Sequence, residues 1–153
     1  MAFTLTSTAF QEGAIIPNKH TCSGQDVSPP LHWRAPPKGT QSFALIMDDP
    51  DAPIGTWVHW VIFNIPGQTS SLPEGVPQKK SFPTGEQQGI NDFRRIGYGG
   101  PCPPPGKPHR YYFKLYALDS PLKLQSGAKK AEVLVACQSH ILGEAHLMGR
   151  FGR

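Results

Sequence analysis

Asp49, His59, His109 and Tyr111 carry the parts of a small polar site. Asp49 lies in the turn Asp48-Asp49-Pro50-Asp51-Ala52-Pro53, directly after the apolar run Ser42 to Met47. Each proline fixes its own φ and pushes the residue before it to extended geometry. The carboxylates are therefore aimed from a rigid turn at a strand end. The same composition also fits an acidic turn whose carboxylates bond their own backbone. His59 follows within the β-branched and aromatic stretch Thr56 to Ile65. Period two puts Trp57, His59, Val61, Phe63 and Ile65 on one face, and Val58, Trp60 and Ile62 on the other. A histidine among apolar neighbours is most often a hydrogen-bonded core residue. Asp49 offers a second role, since a carboxylate that accepts from one ring nitrogen leaves the other for a ligand.

The third piece runs from Gly99 to His109 as GGPCPPPGKPH. Glycines let a ligand approach the backbone closely. The spacing is wrong for a phosphate-binding P-loop: five residues separate Gly100 from Gly106, and Pro108 stands where Ser or Thr is required. The prolines also remove amide donors that such a loop uses. A polyproline spacer or SH3-type ligand fits the same residues. His109 and Tyr111 then share one strand face. Together the groups make an anion pocket, with donors from His59, His109, Tyr111 and an amide near Gly100.

Other chemistries find less support. There is no GxSxG and no HExxH. Asp49 and His59 could act as acid and base in a hydrolase, but no activated nucleophile accompanies them. Nothing in the spacing of Asp49, His59 and His109 imposes a metal site, so neither a metal nor a cofactor is expected.

These residues need strands to hold them. Phe3 to Ser7, Leu31 to Ala35, Ser42 to Met47, Trp57 to Ile65, Arg110 to Leu118 and Glu144 to Phe151 read as strands. One helix is expected over about Ala128 to Leu142, with Val133, Leu134, Cys137, Ile141 and Leu142 on its apolar face, Ser126-Gly127 before it and Gly143 as its C′ residue. Pro66 to Ile96 is weakly periodic and reads as a lid or an edge. Strands joined by irregular proline-rich loops, with one late helix, predict a mainly β, antiparallel fold.

The chain has 153 residues, enough for one domain over 1–153. Hydrophobic residues make up 38%, too many for a disordered chain. Its 16 glycines and 17 prolines predict abundant loops. The net charge of +4 is scattered, with no cluster denser than Lys79-Lys80 or Arg94-Arg95, so nucleic acid is not an expected partner. No apolar run approaches the roughly 20 residues of a membrane helix, and integral membrane insertion is not expected. The N-terminus lacks a signal-peptide pattern, so a cytoplasmic location is expected. The three cysteines show no CxxC spacing. Cys137 reads as core. Cys22 and Cys102 lie in loops that could meet, but a reducing compartment disfavours a disulfide between them.

The combination resembles the phosphatidylethanolamine-binding protein family, in the bacterial and archaeal branch called Raf-kinase-inhibitor-like. Five segments carry the likeness: TCSGQDVSPPLHW, DDPDAP, WVHWVIFNIP, YGGPCPPPGKPHRYYFKLYALD and the terminal HILGEAHLMGRFGR. The resemblance implies a β-sandwich or Greek-key fold with a shallow anion pocket at one end. It implies pocket roles for Asp49, His59, Gly100, His109 and Tyr111, with Asp51, Trp57 and Pro101 lining it. Two features depart from animal members: Val58 replaces the first of two adjacent histidines, and the long C-terminal helix has no counterpart. The expected function is non-catalytic binding of a phosphate-bearing headgroup or small molecule, or of a phosphorylated or acidic group on a partner. The alternative is an inhibitor of kinases or serine proteases. A homodimer is also implied. A histidine-dependent pocket should bind anions better below about pH 6.5, the ordinary imidazole value.

Overall fold

The computed structural model describes residues 1–153 throughout. Its elements are β1 (Thr4–Thr6), β2 (Leu31–Arg34), β3 (Ser42–Asp49), β4 (Trp57–Pro66), β5 (Ser71–Leu72), β6 (Gln87–Gln88), β7 (His109–Leu118), α1 (Lys130–Cys137) and β8 (Ile141–Phe151). The architecture is mainly β with one C-terminal helix. A small antiparallel sheet has the order β1-β2-β5, and a larger one the order β6-β4-β3-β7-β8.

The two sheets pack face to face. Leu5, Leu31, Trp33 and Leu72 of the small sheet meet Phe43, Leu45, Met47, Trp60, Ile62, Phe113 and Leu115 of the large one. The opposite face of the large sheet carries Ala44, Ile46, Val61, Phe63 and Leu118, covered by Val133 and Cys137 of α1 with Leu122 and Ala128. All eight residues of β3 are buried, because both faces of this central strand are covered. Its terminal carboxylates divide between the faces. Asp48 is held on the helix side by Lys130 at 2.7 Å and Lys114 at 3.3 Å, whereas Asp49 faces the sandwich side.

Strict alternation along β4 does not survive. Ten residues of β4 lie opposite eight of β3. The pairing passes from Asp48↔Val58 to Met47↔Trp60, and from Leu45↔Ile62 to Phe43↔Ile65. Each step inserts one residue into β4, and such a bulge re-aims the side chains around it. The first bulge falls at His59. The second contains Asn64, at φ 56°, whose amide bonds Gln87 and both backbone groups of Leu122. The expected faces are corrected accordingly. Trp60 and Ile62 keep one face but are joined in the sandwich core by Ile65, while Val61 and Phe63 keep the other and are joined under the helix by Val58.

Two other expectations change, and one narrows to one of its two readings. The helix ends at Cys137 rather than Leu142, and β8 begins at Ile141. Gly143 is therefore a strand residue opposite Ala117. It is glycine because a Cβ there would come within 2.8 Å of Pro37. Pro66 to Ile96 is not a lid over the cavity: it supplies the edge strands β5 and β6. It is pinned by the buried Gln88, which accepts from Trp60 Nε1 at 2.7 Å and donates to the carbonyls of Pro77 and Lys79.

Candidate functional site

The ends of β3, β4 and β7 open together onto a cavity of about 330 Å3. Asp49, Trp57, His59, His109 and Tyr111 all line it, with Ala52, Pro53, Ile54, Phe93, Cys102, Pro103 and Pro104. Antiparallel pairing explains the convergence. Asp49 sits opposite Trp57 across one ladder, and Asp48 sits opposite Tyr112 across the other.

Asp49 is 3% exposed and commits both carboxylate oxygens within the protein. Oδ1 accepts from the amide of Asp51 at 2.7 Å, closing the acidic turn on itself. Oδ2 accepts from His109 Nδ1 at 2.7 Å. The self-bonded turn and the histidine-orienting carboxylate are thus the same residue, one oxygen for each. Because a carboxylate oxygen only accepts, the His109 proton resides on Nδ1.

His59 is also 3% exposed. Its Nδ1 donates at 2.6 Å to the Gly99 carbonyl rather than to Asp49. Its ring stands edge-on to Phe93 and Tyr111, with centroids 5.3 and 5.2 Å away. Burial pushes the imidazole below its ordinary value, outweighing the opposing Gly99 bond and Asp49 charge.

Tyr111 is fully buried, and its hydroxyl has no protein partner. Burial, and then the charges of Asp49 and Asp51, raise the phenol well above its usual value. It therefore stays protonated and is a donor. Trp57 Nε1 is likewise buried without a partner.

Three expected lining residues stand elsewhere. Asp51 turns outward and takes Arg110 in a two-point pair, with Nε at 2.9 Å and Nη2 at 2.8 Å. The guanidinium holds the Asp51 carboxyl down to about 2. Gly100 and Pro101 lie behind the cavity wall. The Gly100 amide already donates to Asp26 Oδ1 at 2.8 Å. A Cβ on Gly100 would collide with the His20 carbonyl and Asp26. Gly100 is thus required by packing, with its amide engaged by Asp26.

Cys22 and Cys102 form a disulfide that joins the polyproline wall of the cavity to the Thr21–Ser23 loop. The pairing, disfavoured on the sequence, is thus made. Phe93 is a wall residue that sequence reasoning missed. It lies in the long weakly periodic segment, and Asn91, which bonds the amides of Phe93 and Arg95, holds it in place.

This fold and this cavity can be set beside known proteins. The family model described as phosphatidylethanolamine-binding protein matches residues 6–152. The chain belongs to the phosphatidylethanolamine-binding protein family. A UPF0098 protein of Methanothermobacter thermautotrophicus is 51% identical over 97% of this chain and 98% of its own length. One from Aquifex aeolicus is 50% identical over 96% and 86%. Among solved structures, the phosphatidylethanolamine-binding protein homologue CT736 of Chlamydia trachomatis superposes with a TM-score of 0.90 at 40% identity. It covers 99% of this chain and 98% of its own. E. coli YbcL, a member of the mammalian PEBP family, gives 0.92 at 35% identity, covering 100% and 99%. The sandwich and its C-terminal helix are therefore those of the phosphatidylethanolamine-binding protein fold. No helix of the chain is long and apolar enough to cross a membrane.

Proposed function

We propose that the cavity is a non-catalytic binding site for a small phosphate-bearing or carboxylate group. The observation that carries this reading is the Tyr111 hydroxyl, buried beside His109 and lacking any partner in the protein. A buried donor left unsatisfied costs about 1–3 kcal/mol, and an anionic oxygen relieves that cost. Trp57 Nε1 is a second such donor. His109, oriented by Asp49, lines the same cavity. Catalysis is disfavoured because both oxygens of Asp49 are engaged, and the lining cysteine, Cys102, is held in a disulfide.

The test is Tyr111→Phe. Removing an unpaired hydroxyl should leave the stability of the free protein equal or slightly higher. Affinity for inorganic phosphate or phosphoethanolamine, read by calorimetry, should fall about tenfold, the worth of roughly 1.4 kcal/mol. Unchanged affinity would overturn the reading.

One feature favours a partner protein as the source of the group. Ile54 is 89% exposed on the turn at the cavity mouth, beside Pro53 and opposite the Pro103–Pro104 wall. An apolar rim around a polar pocket suits a peptide carrying a phosphorylated or acidic side chain. An inhibitor of a kinase or serine protease would act in this way, and added phosphate should relieve its inhibition. Archaeal and bacterial relatives at 51% and 50% identity support placement in the bacterial and archaeal branch of the family. The homodimer implied for that branch is tested by light scattering.

A further inference from the structure

The two imidazoles of the cavity are locked in the same tautomer by different acceptors. His109 gives its Nδ1 proton to Asp49 at 2.7 Å, and His59 gives its own to the Gly99 carbonyl at 2.6 Å. A carbonyl oxygen cannot donate, so His59 has no alternative tautomer without losing that bond. Its other nitrogen, Nε2, has no partner in the protein, and the ring forms part of the cavity wall. A neutral ring so held presents a lone pair to whatever fills the cavity.

The surroundings disfavour the charged ring. The titratable groups facing it are Asp49 from β3, Tyr111 and His109 from β7, and Asp26 from the loop behind Gly100. Asp49 and Asp26 favour the cation, yet burial outweighs them. Asp49 is already satisfied by His109 and the Asp51 amide, and Asp26 by the Gly100 amide. The cavity therefore presents two unpartnered donors, on Tyr111 and Trp57, beside a fixed acceptor on His59.

We propose that His59 reads a proton on the ligand, so that the cavity takes a phosphate monoester as its monoanion in preference to a phosphodiester. This rests on the anion-binding reading above. The monoanion of a monoester offers accepting oxygens to the donors and one P–OH to His59 Nε2. A diester has the same charge but no P–OH, so one of its oxygens would face the lone pair of His59. The monoester dianion carries the same defect. The proton stays on the ligand, and no bond is made or broken.

Ethyl phosphate and dimethyl phosphate provide the test, because they are isomers with the same charge when the first is a monoanion. At about pH 6, close to the second ionisation of a monoester, calorimetry should show the ethyl phosphate monoanion binding roughly tenfold tighter or more. The preference should shrink towards one in His59→Gln, whose amide offers both a donor and an acceptor. Equal affinity of the isomers for the wild-type protein overturns the proposal and leaves the anion site standing. Binding of neither isomer overturns both. The wild-type comparison decides the matter even where His59→Gln does not fold.

Discussion

Asp49 and His109 are joined through Oδ2 and Nδ1 at 2.7 Å, across sixty residues of sequence. The bond ties the end of β3 to the start of β7. It lets Asp49 position His109 while both line the cavity. Replacing Asp49 with Ala removes this bond and the one to the Asp51 amide. Charge-assisted hydrogen bonds contribute about 1.5–3 kcal/mol each, so the urea midpoint should fall with an unchanged slope. Nitrogen-15 NMR should show both imidazoles protonated at Nδ1 in the wild type. In Asp49→Ala only His109 should lose that preference. A change at His59 as well would contradict the assignment of its proton to Gly99.

His59 makes the protein sensitive to acid. Burial holds its imidazole below the ordinary value of about 6.5. As pH falls through that value, the unfolded chain takes up the proton before the folded one does. More protons bound in the unfolded state mean that stability drops with falling pH. No such contribution operates above that window. Between about pH 7 and pH 5 the wild-type midpoint should therefore fall further than that of His59→Gln. Parallel pH profiles would show that burial of His59 carries no linkage.

The disulfide should matter for both stability and affinity. It closes a long loop, with Cys22 and Cys102 separated by 80 positions. Removing a native disulfide typically costs about 2–4 kcal/mol. Replacing both cysteines with serine should lower the midpoint by that order and also weaken phosphate binding, since Cys102, Pro103 and Pro104 form one wall of the cavity. Reduced stability with full affinity would mean that other contacts keep the wall in place.

Gly100 separates packing from binding. Gly100→Ala would drive a methyl group into the His20 carbonyl and Asp26. Overpacking of this kind costs roughly 1–3 kcal/mol. The midpoint should fall by that amount. Should Gly100→Ala keep its stability but lose phosphate affinity, the amide would after all belong to the binding site.

Much of this was legible in the sequence because strands and turns are local. The prolines around Asp49 and the β-branched run after Thr56 announced a turn and a strand, and the shared face of His109 and Tyr111 follows from period two. Long-range contacts were not legible. Gly99 as the acceptor for His59, Asp26 as the acceptor for Gly100, and Phe93 as a wall residue lie 34–74 positions from their partners or outside any periodic pattern. The late helix was overextended because Ile141 and Leu142 continue its apolar spacing. In the fold they are partly exposed at the start of β8, at 39% and 40%.

The bulge at His59 has a consequence for how such a site can arise or vanish. Every pairing between β3 and β4 on either side of it would remain in register if that single residue were deleted: Asp49 with Trp57, Asp48 with Val58, Met47 with Trp60. The ladder does not need His59. A chain one residue shorter could therefore keep the sandwich and lose the acceptor in its cavity, so at this point the histories of fold and binding site can part by one codon.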